Sequence, residues 1–182
     1  ISEMVKETNK NLKTVNTEQT EIQLVWLSEQ DTQYFAERLS KQLSLLAEPV
    51  NLFIELHGDL GSGKTTLVRY LLQALGVTGR IKSPTYAIVE SYDEVRDASL
   101  KPLPVWHFDF YRFKDPLEWE EAGFRDIFAG PGIKLVEWPE MAESELPLAD
   151  IAILIIANSD NSRTATVLAK TPSGNKVLSA LS

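Results

Sequence analysis

Apolar positions along this chain of 182 residues recur with two periods, and the switches between them divide it into elements. Residues 1–20, "ISEMVKETNKNLKTVNTEQT", hold few large apolar groups and no steady period. They predict a mobile N-terminal extension ahead of a single domain over 21–182. "EIQLVWL" reads as a first strand. Ser28 and Asp31 then mark a helix start, and Phe35, Leu39, Leu43 and Leu46 recur at helical spacing, which predicts an amphipathic helix over 29–47. "NLFIEL", nearly all apolar, has the character of a strand buried on both faces of a parallel sheet. Leu67, Leu71, Leu72 and Leu75 predict a second helix, with Gly76 as its stop. Beyond it the pattern predicts a strand over 85–92 and a polar, proline-bearing loop over 93–104. Core strands follow at "PVWHFDFY" and "IKLVEW", with a short helix over 116–122 between them. "DIAILIIANSDNSRTATVLAK" gives two β-type runs around a polar turn, an antiparallel hairpin. The order predicts one α/β domain whose mostly parallel central sheet carries antiparallel C-terminal additions.

The segment between the second strand and the second helix cannot pack a core. Residues 57–66 read "HGDLGSGKTT" and fit G-x-x-x-x-G-K-[ST] from Gly58 to Thr65, with the strand before and helix after that this pattern needs. Such glycines let successive backbone N–H groups of Asp59, Leu60, Gly61, Ser62 and Gly63 point into one hollow suited to phosphate oxygens. The helix N-terminus adds partial positive charge, around Thr65 and Thr66. Lys64 supplies a full charge at the β- and γ-phosphates, and the Thr65 hydroxyl can ligate Mg²⁺. The sequence thus predicts a P-loop NTPase-like, three-layer fold. A nucleotide-bound Mg²⁺ calls for carboxylates, and Asp109 and Glu137 stand near the ends of apolar strands, where an open α/β sheet faces its ligand crevice.

Composition narrows the reading. A formal charge of −8 disfavours direct gripping of nucleic-acid phosphates. The chain has no cysteine and only two histidines, which removes thiol chemistry and makes a His-rich zinc site improbable. No apolar run approaches the roughly 20 residues that span a bilayer, so no membrane partner is expected. Guanine-reading P-loop proteins commonly carry Asn-Lys-x-Asp. Here "NKVL" at Asn175 lacks the aspartate, so adenine is favoured and ATP/ADP are the expected nucleotides. The scattered arginines do not form the lid of a small-molecule kinase, which stays as the alternative, beside a nucleotide-gated adaptor. No arginine is evident as a finger completing the site.

Several segments taken together resemble one family. "GDLGSGKTT", "KSPTYAIVESY", "HFDFYRFKDPLEWEEAGFRD" and "LVEWPE" follow the order and spacing of the TsaE family, the small bacterial P-loop ATPases of tRNA threonylcarbamoyladenosine (t6A) biosynthesis. The resemblance covers about residues 24–170. It implies that Lys64 binds phosphate, that Thr65, Asp109 and Glu137 serve Mg²⁺, and that Thr85 lies in a switch-like segment near the γ-phosphate. Trp138 would lie beside the nucleotide, Glu29 near the base-side entry, and Ser162 and Arg163 in a hairpin turn that reaches the site. It further implies a cytoplasmic protein working with TsaB and TsaD and meeting tRNA only through that complex; the lack of an evident arginine finger predicts slow ATP hydrolysis until a partner completes the site.

Overall fold

The computed structural model describes residues 20–181, so the extension predicted over 1–20 lies, except for Thr20, outside the described residues. In chain order the elements are β1 (Glu21–Trp26), α1 (Glu29–Ser44), β2 (Asn51–His57), α2 (Lys64–Ala74), β3 (Val89–Tyr92) and β4 (Val105–Asp109). Then come α3 (Pro116–Glu121), α4 (Phe124–Ala129), β5 (Gly132–Glu137), a 3-10 turn (Pro139–Ala142), β6 (Ile151–Ala157), β7 (Arg163–Ala169) and α5 (Pro172–Ser179). The strands form one sheet in the order β1-β7-β6-β2-β5-β4-β3. β6, β2, β5 and β4 run parallel, while β7, β1 and β3 are antiparallel to their neighbours.

The central strands are apolar on both sides because both faces are covered. All six residues of β5 are buried. On one face Leu39 and Leu43 of α1 and Leu67, Leu71 and Leu72 of α2 pack over Leu52, Ile54, Ile133 and Leu135. On the other face α3 and α4 lay an aromatic cluster on β2, β4 and β5. Trp119 stacks on Phe128 at 5.4 Å between centroids, and Phe108 meets Phe124 edge-on at 5.2 Å. The resulting architecture is α/β, with helices on both faces of a mixed, centrally parallel sheet.

Three expectations need correction. The strand predicted over 85–92 begins only at Val89. The Ile88 N–H donates to the Pro84 carbonyl at 2.7 Å, closing a turn around Thr85, Tyr86 and Ala87 that overrides β-propensity. Ile88 pays for that turn with φ +68°, a rare conformation for a β-branched residue. The strand "PVWHFDFY" ends at Asp109, whose carboxylate accepts the Tyr111 N–H at 3.0 Å and turns the chain. "IKLVEW" loses Trp138, which adopts φ +55° and leaves the sheet plane. The short predicted helix is present as α3, capped by Asp115 accepting from the Leu117 N–H at 2.9 Å.

Candidate nucleotide-binding site

β2, β5 and β4 end side by side, and their register sets Leu56, Glu137 and Asp109 in one row across the sheet. Just beyond this row the glycine-rich loop turns the chain from β2 into α2. Gly58 has φ +149°, and a Cβ there would meet the Ile155 carbonyl and the Ser62 Oγ at 2.5 Å each. Only glycine fits that approach. Gly63 precedes α2 with φ +114° and provides no side-chain cap, so the first N–H groups of α2 are left to other acceptors. The loop, the strand ends and the segment after Ser83 enclose a cavity of about 420 Å³.

Lys64, Asp109 and Glu137 are all buried in its wall. The Lys64 ammonium donates to the Gly58 carbonyl and lies 3.5 Å from the ring centroid of Trp138. The left-handed backbone of Trp138 turns this ring toward the lysine and toward Tyr111, 5.0 Å away. Burial pulls the Lys64 ammonium below its ordinary value, opposed by the nearby carboxylates of Glu137, Glu140, Asp109 and Asp59. Thr65 Oγ1 donates to Glu137 Oε1 at 2.7 Å. The other oxygen of Glu137 meets His107 Nε2 at 2.6 Å. Asp109 accepts from Thr85 Oγ1 at 3.4 Å, a long bond, and Thr85 also pairs with Ser83 Oγ at 2.8 Å. Burial raises the Asp109 carboxyl above the usual range; the Tyr111 N–H opposes this, Glu137 adds to it, and His107 and Thr85 oppose it.

Leu60, Gly61, Ser62, Gly63, Lys64, Thr65 and Thr66 thus line the cavity together with Thr85, Asp109, Glu137, Trp138 and Arg163. Asp59 does not line it. Its side chain is exposed, while its carbonyl accepts the Ser62 N–H at 3.0 Å and shapes the loop. A smaller hollow of about 90 Å³ adjoins the loop, lined by Glu29, Trp26, Ser62, Thr66 and Arg163 among others. Tyr70 holds Glu29 there through a 2.7 Å hydrogen bond. Arg163 Nε donates to the Ser62 carbonyl at 2.8 Å, tying the β6–β7 hairpin to the loop. Ser162 lines neither space. It is buried within its own turn, bonded to Asp160 and Asn158.

Arg112 also lines the cavity, its guanidinium 4.5 Å from the Tyr86 ring centroid. It gave no isolated signal in the sequence, where scattered arginines look alike. His107 was quoted there only as part of a longer match.

The donor chemistry suits a nucleoside polyphosphate with Mg²⁺. Ser62 Oγ is buried without a partner at the loop, a cradle too tight for a Cβ stands at Gly58, and a cation faces the same space. Two carboxylates and a hydroxyl are the usual protein share of a nucleotide-bound Mg²⁺. Among the described residues no three acidic or imidazole side chains gather into a self-sufficient metal cage.

Comparison with known proteins gives the chain its family and supports its fold. Residues 26–165 match the family described as threonylcarbamoyl adenosine biosynthesis protein TsaE. The chain is 39% identical over 148 residues to the tRNA threonylcarbamoyladenosine biosynthesis protein TsaE of Haemophilus influenzae, covering 81% of this chain and 89% of that one. It is 35% identical over 131 residues to the Bacillus subtilis protein of the same name, covering 72% and 77%. Its fold is similar to the crystal structure of YdiB from Bacillus subtilis, with a TM-score of 0.69 and 26% identity over 90% of this chain and 95% of that one. A P-loop NTPase-like fold carrying these matches over most of its length identifies the chain as a member of the TsaE family.

Proposed function

We propose that this protein is a Mg²⁺-dependent ATPase of tRNA t6A biosynthesis that acts in the cytoplasm with TsaB and TsaD. The observation that carries the reading is the convergence of Lys64, Thr65, Asp109 and Glu137 on one cavity beside the glycine-rich loop. Lys64 receives β- and γ-phosphate oxygens, and the backbone N–H groups opening α2 receive others. Thr65, Asp109 and Glu137 would hold Mg²⁺ or its waters, and the ion supplies charge neutralisation on the phosphate oxygens. Water forms a bond to the γ-phosphorus as the bridging P–O bond breaks, leaving ADP and phosphate.

The small hollow beside Glu29 and Arg163 supports a base-side position for those residues, with ATP preferred to GTP. The net charge of −8 suits docking on protein partners, with tRNA reached through the complex. No described helix is long and apolar enough to cross a membrane. Hydrolysis by the protein alone is slow and is stimulated by TsaB and TsaD.

The test is phosphate release from ATP with TsaB and TsaD present. Lys64→Ala lowers it roughly 100-fold, the scale of losing one preorganised electrostatic contact, without changing circular dichroism. Turnover at the wild-type rate in that variant would falsify the reading. Transfer of the γ-phosphate to an added small acceptor, in place of phosphate release, would favour a kinase.

A further inference from the structure

We propose that His107 is a positioning residue for Glu137, fixing the carboxylate that serves the nucleotide-bound Mg²⁺. The inference rests on the nucleotide reading above and adds a member to that site. His107 sits on β4, opposite Leu135 of β5, while Asp109 stands opposite Glu137. Its ring therefore reaches diagonally, two residues along the ladder, to the carboxylate on the same face of the neighbouring strand. The contact is 2.6 Å between Nε2 and Oε2, with both side chains no more than 2% exposed. An ionised carboxylate only accepts, so Nε2 carries the hydrogen and donates.

Glu137 needs this partner. Its Oε1 accepts from Thr65, an exposed residue in the first turn of α2 whose hydroxyl is itself expected to serve Mg²⁺. Its Oε2 has His107 as its one hydrogen-bond partner among the described side chains. A buried carboxylate without a donor on that oxygen is free to rotate about its terminal torsion. His107 removes that freedom. The imidazole Nδ1 is buried and has no partner among the described residues, so the bond to Glu137 is the one hydrogen bond that the ring makes there. His107 is itself 1% exposed. It lines neither the 420 Å³ cavity nor the 90 Å³ hollow, so it acts through Glu137 and not on the nucleotide.

The pair of substitutions that tests this differs only in reach. The amide nitrogen of His107→Gln falls near the position of Nε2 and can donate to Glu137. That of His107→Asn falls short, near Nδ1. Binding of a fluorescent ADP is titrated with Mg²⁺ and with EDTA, and phosphate release is followed alongside. His107→Asn should lose at least tenfold of the Mg²⁺ enhancement of binding and of turnover, while binding in EDTA stays within twofold of wild type. His107→Gln should keep both within about threefold of wild type, a limit well below one lost charged hydrogen bond. In a Glu137→Gln background, His107→Asn should cost nothing further in the Mg²⁺ response. If His107→Asn loses its thermal transition, His107→Leu takes its place with the same expectations.

Equal Mg²⁺ enhancement in wild type and the donor-lacking variant overturns the inference alone. So does a His107→Gln protein as impaired as His107→Asn, or additive losses in the Glu137→Gln background. A wild-type protein whose ADP binding ignores Mg²⁺ overturns the nucleotide reading and this inference with it.

Discussion

Two of the described lysines are buried, one opening α2 and one on β5, and their surroundings decide what each can do. Lys64 shares its cavity with the carboxylates of Glu137 and Asp109, which keep a charge there useful. Among the described residues Lys134, on β5 and 0% exposed, has only the Asn51 side-chain carbonyl at 2.9 Å and the Gly130 carbonyl as acceptors. Burial pulls its ammonium down to about 8, with Asp150 opposing from a distance. Between about 8 and the ordinary 10.5 the unfolded chain holds a proton that the folded chain has released, so this group's contribution to stability rises with pH across that window. Urea unfolding from pH 7.5 to 10.5 should show wild type gaining on Lys134→Met by up to about 1.4 kcal/mol per pH unit. A constant difference between the two proteins would mean that Lys134 titrates normally. At the phosphate end, Asp109→Asn keeps shape but not charge. It should lower Mg²⁺-dependent turnover more than tenfold, a loss typical of metal-site carboxylates, while fluorescent ADP binding in EDTA stays near wild type. A lost thermal transition would instead make Asp109 a structural cap for the turn at Tyr111.

At the scale of elements, the glycine-rich loop is braced from outside its own βα unit. Arg163, the first residue of β7, holds the Ser62 carbonyl, and the Ile155 carbonyl of β6 presses on Gly58. Gly58→Ala should therefore weaken ADP binding more than tenfold, because a methyl 2.5 Å from a strand carbonyl must push the loop away. Isothermal titration checks it, and unchanged affinity would show that the loop relaxes freely. The loop itself, both central helices, the two buried carboxylates and the hairpin were legible in the sequence, since each has a strong period or a spaced motif. Thr85 was not legible as a turn residue, because Thr85 itself, Tyr86, Ile88 and Val89 argue for strand, and the bond from the Ile88 N–H to the Pro84 carbonyl decides otherwise. α4 is six residues long, too short for a period to declare itself. α5 did carry a signal, Thr171 as cap with Pro172 behind it, and Thr171 accepts the Gly174 N–H at 3.1 Å. The role of His107 depends on a diagonal across two strands far apart in sequence, and no local pattern contains that.

For the whole molecule, the turn holding Thr85 joins the edge strand β3 to the cavity, so a change in the cavity can reach an exposed surface. Tyr86, next along, is 84% exposed. Thr85→Val should bind ADP normally yet lose the difference between ATP and ADP in affinity for TsaB–TsaD, measured by surface-plasmon resonance in each nucleotide. A full difference retained would place the switch elsewhere. The sheet's strand order has another consequence, for the time course of folding. β1 pairs only with β7, and Thr20 beside it bonds to Asn175, 155 residues away in sequence. On a ribosome the first strand therefore waits, with its backbone unmatched, until nearly all the remaining described chain has emerged. The nucleotide half, from β2 to β5, can assemble earlier. Loop closure over that span is slow, and the waiting strand is an open edge to which other nascent copies can add. A chain arrested before β7 should be prone to aggregate even though every residue of its phosphate loop is already made.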